Sequence, residues 1–111
     1  MARMTKKKFV LFIDDNFSVE ERDKITNYFK GKYAYWHWIS NVWLLSTSKD
    51  GVTTESIRDE VKDLVNRGTI LVINASDSQG WAGFGQKKKF EWMHSTWSKN
   101  PESFSEDDTS L

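Results

Sequence analysis

Residues 33–47 read YAYWHWISNVWLLST. Tyr33–Ile39 and Val42–Thr47 are rich in aromatic and β-branched residues, and only Ser40 and Asn41 separate them, a pattern that predicts two antiparallel strands joined by a tight hairpin. A hairpin alone buries too little to be stable, so its partners must lie on either side of it. Upstream, Lys8–Asp14 (KFVLFID) is apolar at every position from Phe9 to Ile13, as a central strand covered on both faces should be. Ser18 and Glu21 have capping-box spacing and open a helix whose buried side carries Ile25, Tyr28 and Phe29, with Gly31 at its C-terminal cap. Downstream, Thr53 or Thr54 caps a second helix with Ile57, Val61, Leu64 and Val65 at i, i+4, i+7 and i+8, closed by Gly68. The β-branched run Ile70–Ile73 supplies the last strand.

The resulting order, β-α-β-β-α-β, predicts an α+β chain of the ferredoxin-like type: a four-stranded antiparallel sheet with both helices on one face, followed by a C-terminal helix and an acidic tail. The hairpin's first strand then poses a problem of cover. Tyr33, Tyr35 and His37 alternate with Trp36 and Trp38, so one aromatic set faces away from the helices. Each such ring buries on the order of 150 to 250 Å² when covered. Either a second copy covers that face, giving a homodimer, or a helix over residues 85–98 folds back on it. The homodimer is the expectation taken forward, because two-fold dimers are the commonest closed assembly.

Beyond the last strand, Ser76–Gly85 is a glycine and aromatic stretch that leads into a helical pattern of Phe90, Met93 and Trp97. Backbone N–H groups around Gly80 and Gly83 could cradle a phosphate, Lys87, Lys88 and Lys89 add positive charge, and Trp81 and Phe84 could stack on bases. These seven residues are the candidate ligand-binding set. The spacing is G-x-x-G-x-G, which is neither the dinucleotide fingerprint nor a phosphate-binding P-loop. The other reading is a plain turn whose Trp81 pins it to the core. His37 and His94 have no partner at metal-ligand spacing, and His37 reads as a packing residue of its strand.

Composition narrows the classes. The chain has 111 residues, 38% hydrophobic and 14% aromatic, enough for one compact domain with a core, expected over residues 1–99. The absence of Cys excludes thiolate catalysis and disulfides, and with no apolar run of signal or membrane length the expectation is a soluble cytoplasmic protein. Net charge is zero, but Glu102, Glu106, Asp107 and Asp108 all fall after residue 99, which leaves the body with 16 cations against 12 acids, a formal +4. That balance permits a nucleic acid or another anionic partner. The segment from Asn100 to Leu111, polar and acidic with Phe104 as its one aromatic, is expected to be disordered.

The chain resembles the SinR-like proteins related to the small CRISPR-associated endonuclease subunit of the spacer-acquisition complex. The similarity runs from Lys8 to about Trp92. It rests on an apolar first strand ending in Asp14, the hairpin WHWISNVWLL, the stretch TTESIRDEV from Thr53 to Val61, and ILVINASDSQGWAGF followed by Phe90, Glu91 and Trp92. The resemblance implies a homodimeric ferredoxin-like protein in defence or mobile-element biology. It also implies that Asp14 from each subunit could share a divalent metal, Mg²⁺, for phosphodiester cleavage, with Asp15 as a further ligand. Carboxylate oxygens suit such an ion. Without a metal, Asp14 and Asp15 are a polar strand end placed favourably before a helix N-terminus. Two functions therefore stand open: a binding module for nucleic acid, a nucleotide or a protein partner, and a metal-dependent nuclease of RNA or DNA.

Overall fold

The computed structural model describes residues 6–77, 80–97 and 103–106, and the chain divides into two compact units, 1–76 and 77–111. The first contains β1 (Lys7–Ile13), α1 (Val19–Lys30), β2 (Ala34–Ile39), β3 (Val42–Thr47), α2 (Thr54–Val65) and β4 (Ile70–Asn74). All neighbouring strands are antiparallel, in the order β2-β3-β1-β4. This is an α+β unit with the Phe9–Ile13 run in a central strand.

Local chemistry sets the element ends. Ser18 accepts from the Glu21 amide while Glu21 accepts from the Ser18 amide, which closes the expected capping box at the start of α1, and Gly31 caps its end. Thr53 and Ser56 make the same reciprocal pair at α2. The C-cap of α2 is Asn66 in the left-handed region, φ 54°, rather than Gly68, which sits two residues later at φ +83°. A Cβ on Gly68 would run into the Phe17 ring, so that position has both a backbone and a packing reason to be glycine.

Cross-strand register separates the two faces of the sheet. On one, Tyr35, Leu45 and Phe9 lie side by side, then Trp43, Leu11 and Val72, then Ile13 and Ile70. The α1 residues Ile25 and Phe29 and the α2 residues Ile57 and Val61 close over this set to form the core, with Tyr28, Val52 and Val65 at its margin. His37 belongs to it as a packing residue: its ring stacks on Trp43 at 3.9 Å and 2°, and its Nδ1 lies 2.9 Å from the Val42 carbonyl oxygen. Burial holds the His37 pKa below the ordinary imidazole value. The Trp43 indole donates to Thr26 Oγ1 on α1 at 3.0 Å, so strand and helix are joined by a polar bond inside an apolar contact.

The opposite face carries two apolar rows, Trp36-Leu44-Val10-Ile73 and Ile39-Val42-Phe12-Leu71. Trp36 is buried, the central residues are half-buried, and Ile39, Leu71 and Ile73 are 54%, 54% and 46% exposed. A bulge between Trp36 and Ile39 resets the alternation of β2, and Trp38 within it is 52% exposed.

The second unit contains β5 (Ala82–Gly85), α3 (Lys87–Trp92), a π-helical turn Met93–Trp97 and β6 (Ser103–Glu106). The division between the two units falls between Ser76 and Asp77. Four residues of the segment expected to be disordered form β6, which pairs in parallel with β5, because glycine-rich backbone at 82–85 offers a ladder edge that local sequence does not advertise. The remainder of that segment lies outside the described residues. The helix expected from Gly85 to Ser98 is present as α3 and the π-helical turn over residues 87–97, while Ser98 lies outside the described residues. Among the described residues, no helix is long and apolar enough to cross a membrane.

Candidate functional site

Asp14 stands where β1 ends. Its Oδ1 accepts from the Asn16 amide at 2.9 Å and its Oδ2 from the Thr69 amide at 2.9 Å, while its own amide donates to the Thr69 carbonyl. The first bond closes an Asx-type turn and the second ties that turn to the residue before β4. These backbone donors, Thr69 ahead of Asn16, hold the carboxyl below its ordinary pKa, with a smaller contribution from Arg67. Asp14 is thus anionic, and both of its oxygens bind backbone.

Arg67 anchors the same loop from outside. Its Nε donates to Glu21 Oε2 at 2.9 Å and its Nη2 to Glu21 Oε1 at 2.7 Å and to the Asn16 carbonyl at 2.6 Å, and the guanidinium lies 5.3 Å from the centre of the Phe17 ring. Glu21 serves both the capping box and this fork, and the Arg67 bond, reinforced by the Ser18 amide, pulls its pKa down to about 2. Arg22 adds bonds from α1 to the Phe17 carbonyl and to Asn41 Oδ1 in the hairpin turn. Asp15 and Asn16 are exposed beside Asp14. Among the described residues no three His, Cys, Asp or Glu side chains converge as a metal site.

The glycine and lysine set lies in the second unit. Ala82–Gly85 is a strand rather than an open loop. A Cβ on Gly83 would meet the Phe90 ring at 2.8 Å and one on Gly85 at 3.1 Å, so these glycines allow the ring to lie against the backbone. Trp81 is 9% exposed, stacked near Phe90 with 5.8 Å between ring centres and edge-on to His94 at 5.0 Å. It packs where base stacking would need an open ring face. Phe84, at 69% exposure, keeps one. Gly80 is half-buried, Lys87 and Lys88 are exposed, and Lys89 is half-buried.

A third feature went unread in the sequence. Between α2 and β4 lies a cleft of about 280 Å³ lined by Arg58, Lys62, Asn66, Arg67, Gly68 and Ile70. A smaller one of about 180 Å³ shares Arg58 and Ile70 and continues along β4 past Leu71 and Val72 to Thr54 and Glu55. The available signal was Arg58 and Lys62 at i and i+4 beside the apolar stripe, which places two cations on one strip of the helix. Comparison with family models, with curated proteins and with solved structures finds no match to the chain.

Proposed function

We propose that the chain is a small, non-catalytic binding module that works as a homodimer, with a ferredoxin-like first unit of the SinR-like, CRISPR-associated type. On this reading it engages nucleic acid, a nucleotide or a protein partner in defence or mobile-element biology. The element order, the strand order β2-β3-β1-β4 and the packing of both helices on one face support the ferredoxin-like assignment. The observation that favours binding over cleavage is the state of Asp14: each carboxylate oxygen accepts a backbone N–H, so the residue closes the strand-end turn. The two apolar rows on the sheet face away from the helices support pairing with a second copy.

Asp14→Asn tests the reading directly. Asn keeps a carbonyl oxygen for one of the two amides but places an N–H₂ against the other, so a turn-closing Asp14 predicts a fall in melting temperature and no Mg²⁺- or Mn²⁺-dependent turnover of RNA or DNA in either protein. Robust metal-dependent cleavage by the parent chain, lost in Asp14→Asn with the fold intact, would instead establish the endonuclease in which Asp14 of each subunit holds the ion.

A further inference from the structure

We propose that the paired clefts between α2 and β4 form a binding site for a nucleoside monophosphate unit, either free or at the end of a nucleic-acid strand. The larger lobe takes the phosphate. Its ionisable lining is Arg58, Lys62 and Arg67, with no carboxylate among the lining residues. Like charges converging on one concavity repel one another, and an anion seated among them relieves that repulsion. Their existing partners leave capacity for it. Arg58 meets Asp59 through Nε and Nη2, and Arg67 meets Glu21 and Asn16 through Nε and Nη2, so among the described residues neither Nη1 is engaged. The Lys62 carbonyl accepts from the Asn66 amide, but its ammonium makes no ion pair among the described residues. Asp59 thus pairs with Arg58, and Glu21 with Arg67, while the Lys62 ammonium has no carboxylate within ion-pair distance among the described residues.

The surroundings of the lobe favour the same ligand. Asn66 contributes an amide, and Gly68 on the wall has no side chain to keep a ligand from the backbone. The carbonyl end of α2 is the negative end of a helix dipole and opposes an anion, but Lys62 lies in that last turn and counters it. At about 280 Å³ the lobe is just below the usual lower limit of small-molecule sites, roughly 300 Å³. A phosphate alone would not fill it. The adjoining lobe adds an apolar floor of Ile70 and Val72, which share the helix-covered face of β4, with one acceptor, Glu55, and one hydroxyl, Thr54. That combination suits an uncharged organic part that can donate hydrogen bonds, such as a sugar hydroxyl or an exocyclic amine. Arg58 and Ile70 line both lobes and join them.

This assignment rests on the binding-module reading, and its test can fail while that reading survives. Calorimetric titration of the full chain at low salt would use the four common nucleoside 5′-monophosphates, the matching nucleosides, inorganic phosphate, and one oligonucleotide with and without a 5′-phosphate. At least one monophosphate should bind at least tenfold more tightly than phosphate or its own nucleoside, and more weakly as salt rises. Lys62→Ala and Arg58→Ala should each weaken it about tenfold with the melting temperature unchanged. Arg67 is left intact because its loss would also release Glu21. Tighter binding of the phosphorylated oligonucleotide than of the free nucleotide would identify the strand end as the source, and the reverse order would identify the free nucleotide. No binding, binding indifferent to both variants, or equal affinity for inorganic phosphate would overturn the assignment.

Discussion

The two faces of the four-stranded sheet are built from similar residues and end in different conditions. Under α1 and α2, Phe9, Leu11, Trp43 and Leu45 are at most 1% exposed. On the other face, Ile39, Leu71 and Ile73 of the edge strands β2 and β4 remain about half exposed, although Trp36 in the same rows is buried. Apolar content alone therefore does not decide what becomes core; helix cover and place in the sheet both do. Alternation places a side chain on a face, and only a second layer removes it from water.

The sharpest way to break this comparison is to truncate the same residue type on covered and uncovered positions. Trp43→Ala should cost about 3–5 kcal/mol, since it leaves a cavity beneath α1 and strands the Thr26 hydroxyl and the His37 ring that contact the indole. Trp38→Ala, at a position 52% exposed, should cost clearly less, about 1–2 kcal/mol. Urea denaturation measures both. Equal losses would mean that the bulged end of β2 carries core weight despite its exposure.

A smaller effect probes how the covered face is sealed at its end, where Phe17 packs beneath the loop that Arg67 and Glu21 hold. Glu21 has an ordinary pKa of 4.5 and is held at about 2 in the fold, so its contribution to stability is present above about pH 4.5 and is lost as pH falls toward 2. Glu21→Gln should flatten the stability profile across that window and leave the slope above it unchanged. Asp14, also held low, titrates in the acid range and preserves part of the slope. An unaltered profile in Glu21→Gln would show that the Arg67 fork does not persist in solution.

What could be read from sequence here was what is local. The Ser18 and Glu21 capping box, the Ser40-Asn41 hairpin turn and the central position of the Phe9–Ile13 strand each depend on neighbours a few residues apart, and all three are present. Asp14 was singled out correctly as the strand end, but its acceptor role toward Thr69 spans 55 residues and left no local trace. The second function of Glu21, as partner of Arg67 46 residues away, was hidden for the same reason. Gly80 and Gly83 suggest a phosphate loop because glycine permits many conformations; the use of Gly83 against the Phe90 ring depends on a contact, not on a spacing. The cleft between α2 and β4 exists only once Arg58 and Lys62 on the helix are brought beside Arg67 and Ile70.

One double substitution most sharpens the contrast between faces. Leu71→Ser and Ile73→Ser together lie on the uncovered side, in neighbouring cross-strand rows with Phe12 and Val10. Because both side chains are about half exposed in the single chain, their replacement together should cost about 1.5–3 kcal/mol of its unfolding free energy, less than the truncation of Trp43. If a second copy covers this face, the same two changes should act on association instead, since each apolar group lost from a two-fold interface is lost twice. Sedimentation equilibrium should then show the parent at twice the 13.0 kDa chain mass at micromolar concentration and the double variant at the chain mass. A parent that stays at 13.0 kDa throughout would remove the dimer from the proposed function, and the exposed rows would have to be explained within a single chain.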